Sequence, residues 1–227
     1  MPPSRSDRRA FTILELLAVI VILAILASLS LPAMARAGAY ARALRCRGHL
    51  HQWGLATHLY TADHEDRLPP EGFPNPTERT TNSGWYIQLP RQMGLPRYHD
   101  LAWRTNPAAR PGTTVWLCPA NPRRSNGRNL FHYCLNQHHD GTSTDDNPTL
   151  LSALPDPASL VWLFDSKNLP AVGGPNFVHT NLHLGGAQFL FLDGHTTRLP
   201  RRAYWDDLRD RGRTNPASFR WHPDPDR

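Results

Sequence analysis

The residues best suited to chemistry lie near the C-terminus of this 227-residue chain. Imidazoles and carboxylates are zinc ligands, and this region supplies five of them: Asp165, His179, His183, Asp193 and His195. A metal-dependent hydrolase built on His179, His183 and Asp193 is therefore one hypothesis.

A structural role for the same residues is the competing interpretation. His179 and His183 would share one face of a helix, but Pro175, Asn181 and the Gly185-Gly186 pair disfavour a helix there. In the structural interpretation, His183 hydrogen-bonds the backbone of a hairpin and Asp193 caps its own turn. The sequence contains no HExxH, GxSxG or P-loop motif. It therefore favours a protein that is not an enzyme and that holds no metal or cofactor.

Short strands and turns must position these side chains. Residues 187–192 and 195–199 predict two strands, and Asp193-Gly194 between them predicts a type I′ turn. Residues 160–164 predict a buried strand that ends at Asp165, and two further strands are predicted at 114–118 and 132–135. Short helices are predicted near 83–94 and 204–211. Trp205 and Trp221 are predicted to cover the sheet.

The N-terminus carries the longest apolar run. Residues 11–31 contain four polar residues, Thr12, Glu15, Ser28 and Ser30, and about 20 apolar residues span a bilayer as a helix. A cleaved signal peptide remains an alternative, because Ala33, Ala35 and Ala37 form a small-residue cleavage pattern. A plain signal anchor explains the length of the run. It does not explain Glu15, since a carboxylate inside a span is by default functional.

The helix is predicted to continue beyond the membrane to about residue 62. Cys46, Leu50, Trp53 and Tyr60 recur at helical spacing and predict a face packed on a domain, while Leu55 and Leu59 are predicted to widen it. Pro69 and Pro70 are predicted to end the helix.

Charge and cysteine content limit the function classes. The net charge is +6, but residues 1–49 carry +5 of it. Residues 50–227 are therefore nearly neutral, and their net charge does not indicate nucleic-acid binding. Three cysteines, Cys46, Cys118 and Cys134, predict one disulfide and one free thiol outside the cytoplasm. The sequence leaves all three pairings open. Asp140, Asp145, Asp146 and Asn147 could bind calcium, but a solvated loop is favoured.

The N-terminal segment RRAFTILELLAVIVILAILASLSLP resembles the leader of type IV prepilins and type II secretion pseudopilins. The family pattern is a basic leader, a small residue, a cleavage site before Phe, then Thr and a Glu at the fifth mature position. Ala10, Phe11, Thr12 and Glu15 fit it, with Ala10 where the family usually has glycine. The family's helix-bending proline falls on Pro32.

This resemblance implies cleavage between Ala10 and Phe11 and N-methylation of Phe11. Glu15 would neutralise the new amine of Phe11 on a neighbouring subunit. The implied partners are other pilin subunits, the prepilin peptidase, the inner-membrane assembly machinery and membrane lipid. The implied location is the bacterial inner membrane, with a cytoplasmic N-terminus, a single span, a periplasmic domain and entry into a fibre on assembly.

A second resemblance lies at the C-terminal end. His183, nine residues and then Asp193-Gly194 match the prepilin-type processing-associated H-x(9)-D-G signature. The two resemblances imply a pilin-like α+β fold, in which a long N-terminal helix packs on an antiparallel sheet of about four or five strands. The implied divisions are a leader at 1–10, a membrane segment at 11–31, a soluble helix at 32–66 and a globular domain at 67–227 with the motif at 183–194.

The function implied is structural, as a subunit of a type II secretion or type IV pilus-like fibre. A membrane-anchored module that binds glycans through Trp85, Trp103 or Trp116 is the other class left open beside the hydrolase.

Overall fold

The computed structural model describes residues 12–72, 84–104, 106, 108–109, 111–112, 114–123, 131–138, 149–167 and 171–224. The chain divides into two compact units, residues 1–39 and 40–227. Helix α1 runs from Ile13 to Asp63 and begins in the first unit. Its end at Asp63 lies within one residue of the predicted end at about 62, and it stops before Pro69. Glu65 and Asp66, both at positive φ, follow its end.

In the first unit, every side chain from Ile13 to Leu31 is exposed. The mean hydropathy of the segment reaches 2.8, and among the described residues α1 is the one helix long and apolar enough to cross a membrane. Ser28 and Ser30 donate their hydroxyls to carbonyls of the same helix, Ile25 O and Leu26 O. These bonds satisfy both hydroxyls within an apolar stretch. The helix continues through Pro32 without a break.

The second unit is built on a five-stranded sheet in the order β3-β1-β2-β4-β5. The strands are β1 (Tyr133–Asn136), β2 (Val161–Asp165), β3 (Val172–Gly173), β4 (Gly186–Phe191) and β5 (Thr196–Pro200). Three neighbouring pairs are antiparallel, and β3 runs parallel to β1. The α+β class is therefore confirmed, with one parallel pair at the edge of the sheet.

Both faces of the central strands β2 and β4 are buried, which is consistent with their mostly apolar sequences. Asp165 and Gln188 are the buried polar residues in these two strands. One face packs on the 40–63 part of α1 in a core rich in indole rings. Trp53 lies edge-on to Trp85 and Trp116. The other face carries a second core that includes Phe164, Phe189, Phe219 and Trp221. Trp205 and Trp221 belong to this second core, as predicted.

A register shift between β2 and β4 breaks the alternation of side chains at Trp162. Trp162 and Leu163 consequently both join the core beneath α1. The Trp162 indole N–H donates to Thr57 Oγ1 on α1 at 2.9 Å.

The short helix predicted near 83–94 is present as α2 (Trp85–Gln92). The predicted strand at 114–118 is wrong, since this segment forms turns. Its backbone carbonyls form hydrogen bonds with side chains of α1 instead of with a neighbouring strand. Val115 O accepts the Trp53 indole N–H, and Leu117 O lies 3.1 Å from His49 Nδ1.

The helix predicted over 204–211 is also wrong. Helix α3 (Arg201–Tyr204) ends where that prediction begins, and a hairpin of β6 (Trp205–Asp206) and β7 (Arg211–Gly212) follows. Asp206 Oδ1 accepts the backbone N–H groups of Leu208 and Arg209, and Asp210 adopts positive φ. These contacts stabilise a turn in place of a helix.

Candidate functional site

The Asp193-Gly194 turn joins β4 to β5 as predicted, but its type differs. Gly194 has φ of 88°, whereas Asp193 is not at positive φ, so the predicted type I′ turn is wrong. Gly194 N donates to Phe191 O, and Asp193 Oδ1 accepts the backbone N–H of His195. The turn is therefore of the longer kind that places one glycine in the left-handed region. Asp193 caps its own turn, as the structural interpretation predicted.

The tip of this hairpin lies against α1. A Cβ added at Gly54 would lie 2.9 Å from Leu190 Cδ1 and 3.4 Å from Gly194 Cα. A Cβ added at Gly194 would in turn lie 3.1 Å from His58 Nε2. The helix and the turn thus approach closely. A side chain at position 54 would displace Leu190, and the positive φ at position 194 favours glycine there. This contact fixes α1 on the sheet at the Asp-Gly end of the motif.

The histidine end of the motif lies in a buried polar cluster, formed by His183, Asp165 and a disulfide between Cys46 and Cys118. His183 Nε2 lies 3.0 Å from Asp165 Oδ2 and 3.4 Å from Cys118 Sγ. Because a carboxylate only accepts, Nε2 carries the proton and donates it to Asp165. Asp165 Oδ2 also accepts the backbone N–H of Gln188 on β4. His183 bonds the hairpin backbone as expected, but through its own backbone N–H, which donates to Gly186 O on β4. The partner of its side chain is a carboxylate on β2.

The structure shows which two of the three cysteines form the disulfide, a question that the sequence left open. Cys46 on α1 is bonded to Cys118, and Cys134 is a buried free thiol. Burial raises the pKa of the Cys134 thiol well above its usual value. Next to the disulfide, His49 Nδ1 lies 3.3 Å from Tyr133 Oη. Burial lowers the pKa of His49 below 6.5. The disulfide therefore ties α1 to the domain beside the histidine end of the motif, and the Asp-Gly turn contacts α1 at the other end.

The structure does not assemble the three residues of the hydrolase hypothesis. Among the described residues, the one His, Cys, Asp or Glu group with converging donor atoms is Cys46, Cys118 and His183. Its two sulfurs are joined in a disulfide, and a metal requires thiolates. Asp193 instead pairs with the exposed His195 at 2.6 Å. His179 accepts the backbone N–H of Asn181, and burial lowers its pKa.

The tryptophans proposed as a glycan platform are mostly in the core. Trp85 and Trp116 are buried, and Trp103 alone is partly exposed. A stacking platform needs exposed ring faces, so the glycan hypothesis loses two of its three residues. The calcium candidates at 140, 145, 146 and 147 lie outside the described residues.

The N-terminal residues are described from Thr12 onward, so Ala10 and Phe11 lie outside that range. Thr12 donates its backbone N–H and its hydroxyl to Glu15 Oε2 at 2.9 and 2.8 Å. Glu15 N donates back to Thr12 Oγ1 at 3.2 Å. This reciprocal arrangement is a capping box that starts α1. Glu15 is therefore a helix-capping residue within the single chain.

Replacing His183 by alanine is expected to lower the free energy of unfolding by about 3 kcal/mol, because the buried Asp165 loses its imidazole partner and keeps only the backbone N–H of Gln188. The measurement is denaturant unfolding of the detergent-extracted full chain. His195→Ala, at the exposed end of the same motif, is the matched control and should change stability by less than about 0.5 kcal/mol. Equal losses in the two variants would contradict the assignment of His183 to a buried pair.

The N-terminal part of α1 is exposed and apolar, and the rest of α1 packs on an α+β domain. These two features define a class, that of single-pass, membrane-anchored proteins with a pilin-like α+β layout. Comparison with known families agrees. Residues 5–31 match the prokaryotic N-terminal methylation motif. Residues 35–153 match the family described as protein of unknown function (DUF1559). This second match covers more than half of the chain, which therefore belongs to that family. No curated protein and no solved structure matches the chain.

Proposed function

We propose that this protein is a non-enzymatic subunit of a type II secretion or type IV pilus-like fibre. The N-terminal methylation motif supports a prepilin-like subunit that meets a prepilin peptidase and other pilin subunits. In the proposal, the peptidase cuts between Ala10 and Phe11 and Phe11 is methylated. The N-terminus lies in the cytoplasm and the 40–227 unit in the periplasm. The inner-membrane assembly machinery then moves the subunit from the lipid into the fibre.

The observation that carries the proposal is an apolar stripe on the water-facing side of α1. Leu55 and Leu59, predicted to be core residues, are instead 52% and 54% exposed, and Tyr40 and Leu44 are exposed with them. At 100° per residue these four side chains fall within an arc of about 100°, roughly opposite the buried Leu50 and Trp53. A helix that has already buried one face on its own domain thus presents a second face that is largely apolar. The exposed His51 lies within the same arc, between Leu44 and Leu55 along the helix.

A shallow groove of about 270 Å³ lies beside this stripe. Its lining is mostly apolar and comprises Gln52, Leu55, Ala56, Leu59, Met93, Leu95 and Val115. We assign the stripe and groove to α1 of a neighbouring subunit. The stripe supports this occupant because it lies on the same continuous helix as the exposed membrane segment, which needs apolar partners once it leaves the lipid.

The N-terminal peptide mass of the membrane-extracted protein tests the processing step. We expect a peptide that starts at methylated Phe11. A chain that still starts at residue 1 or 2 would leave an uncleaved anchor and contradict the fibre proposal. A start within 35–39 would indicate an ordinary secreted protein and remove the proposed role of Glu15.

Leu55→Asp tests the helix face. We expect about a tenfold fall in crosslinking between subunits in the cell envelope, because a carboxylate would be buried against a neighbouring helix. Folding should be preserved, since Leu55 is half exposed in the single chain. Leu208→Asp is the matched control, as Leu208 is 99% exposed on the β6–β7 turn. Crosslinking that is equal in the two variants would exclude this face as the subunit contact.

A further inference from the structure

A basic surface lies at the end of the 40–227 unit where α1 enters it. Ala43 is the first buried residue of α1. At about 100° per residue, Arg42 lies on the same side of the helix as the buried His49, yet Arg42 is exposed. The domain therefore stops covering α1 at Ala43, and Arg42 lies at its edge together with the exposed Arg45. Residues 16–62 contain no Asp or Glu that could neutralise this part of the helix.

The loop before β4 and the start of α3 complete this end of the unit. Gln188 on β4 donates Nε2 to Ala43 O at 3.3 Å, whereas the turn after β4 contacts α1 farther along the helix. Strand β4 therefore begins at the end where α1 enters, and the loop that precedes it lies there too. The backbone N–H of Arg201 donates to Gly185 O in this loop. The next residue, the exposed Arg202, is thereby placed near the same loop.

These guanidinium groups have no acidic partner within the part of the chain that the structure describes. Arg42, Arg45 and Arg202 form neither an ion pair nor a hydrogen bond through their side chains with any described residue. The neighbouring Asp207 is already paired with Arg201. This end of the unit thus carries exposed positive charge that is available to an external anion.

The same loop exposes an apolar side chain in an unusual conformation. Leu184 has φ of 52° and is 41% exposed, although residues other than glycine seldom adopt positive φ. Arg198 holds the loop in place, since its guanidinium donates to His183 O and Leu184 O. An exposed leucine beside exposed arginines is the combination that binds the boundary between lipid headgroups and acyl chains.

We propose that Arg42, Arg45, Arg202 and Leu184, here called the entry surface, bind anionic phospholipids of the membrane that anchors the chain. Guanidinium groups bind phosphate oxygens in pairs, and Leu184 inserts between the headgroups. Eleven residues of chain, about 16 Å of helix, lead from Leu31 to Arg42. The length of this connection limits how far the entry surface can lie from the bilayer. The proposal rests on the membrane anchor and not on fibre assembly.

The test is lipid retention by the detergent-extracted full chain, measured by native mass spectrometry. Phosphatidylglycerol and phosphatidylcholine with the same acyl chains are added in equal amounts. The apolar segment of α1 contacts both lipids equally, so the ratio of the two retained lipids reports binding of the headgroups. We expect the wild-type chain to retain phosphatidylglycerol over phosphatidylcholine by about tenfold. The triple variant Arg42→Gln, Arg45→Gln, Arg202→Gln should retain the two lipids equally.

Two further variants separate the entry surface from net charge and from folding. The triple variant Arg67→Gln, Arg91→Gln, Arg97→Gln removes the same charge from exposed positions outside the entry surface and should keep the preference. Leu184→Asn should fold like the wild-type chain, because asparagine adopts positive φ more readily than leucine. It should nevertheless retain several-fold less phosphatidylglycerol, because the apolar contact is lost.

Each result supports or overturns the proposal. Equal retention of the two lipids by the wild-type chain would overturn it, as would an equal loss of preference in both triple variants. Displacement of phosphatidylglycerol by an equal concentration of inorganic phosphate would indicate a site for free phosphate instead of lipid. Leu184→Asn retaining as much phosphatidylglycerol as the wild-type chain would exclude the insertion of Leu184. None of these failures would affect the proposed function, since the experiment uses neither cleaved nor assembled subunits.

Discussion

Replacing both Cys46 and Cys118 by alanine is expected to lower the free energy of unfolding by about 4 kcal/mol. The two cysteines are 72 residues apart in sequence, and a loop of that length restricts the unfolded chain strongly. Most domains have only about 5–15 kcal/mol of stability, so this loss is a large share of the total. The measurement is denaturant unfolding of the detergent-extracted full chain.

Two controls distinguish the stability that the disulfide bond contributes from the stability that the cysteine side chains contribute by packing. Cys134→Ala removes a buried thiol that forms no disulfide, and its cost should be about 1 kcal/mol. Reducing the wild-type protein should move its unfolding midpoint to that of the double variant, while reducing the double variant should change nothing. A double variant as stable as Cys134→Ala would show that the bond does not hold α1 to the domain.

The sequence predicted the elements whose patterns are strong and local. The apolar run of α1, the continuous strands β2 and β4, and the Asp-Gly turn all follow from periodicity or turn chemistry. The helix predicted at 204–211 fails for a local reason, because Asp206 stabilises a turn there. Other misses are places where a distant partner decides the structure. Residues 114–118 look like a strand, but their carbonyls bond Trp53 and His49 on α1. Strand β3 has two residues and is too short to leave a pattern.

The candidate site was predictable only in part, for the same reason. His183, Asp193 and Gly194 stand out by spacing, whereas Asp165 was only one of several zinc-ligand types in the region. A carboxylate directly after an entirely apolar strand was the available signal, since a charge at the end of a buried strand needs a partner. Nothing local distinguishes Cys118 from Cys134 as the partner of Cys46. Likewise, Leu55 and Leu59 have core-like identities, and only the structure shows that their face of α1 is exposed.

Glu15→Gln is expected to abolish assembly, with no fibre-associated protein recovered from sheared cells. In the proposed fibre, the carboxylate of Glu15 neutralises the amine of Phe11 on a neighbour. Glutamine keeps a hydrogen-bonding side chain but leaves that amine unpaired in an apolar bundle, at a cost of several kcal/mol. Within the single chain, Glu15 also caps the helix, because the Glu15 carboxylate accepts two hydrogen bonds from Thr12. A capping role alone would be worth only about 1 kcal/mol.

Thr12→Ala is therefore the matched variant. It removes the side-chain half of the capping box and leaves the charge of Glu15 in place. If the charge acts between subunits, Thr12→Ala assembles and Glu15→Gln does not, while both chains fractionate with the membrane. If Glu15 is only a cap, Glu15→Gln should assemble at least as well as Thr12→Ala. That second result would exclude the pairing of Glu15 with the Phe11 amine of a neighbouring subunit. Contacts of the apolar face of α1 would then have to account for assembly alone.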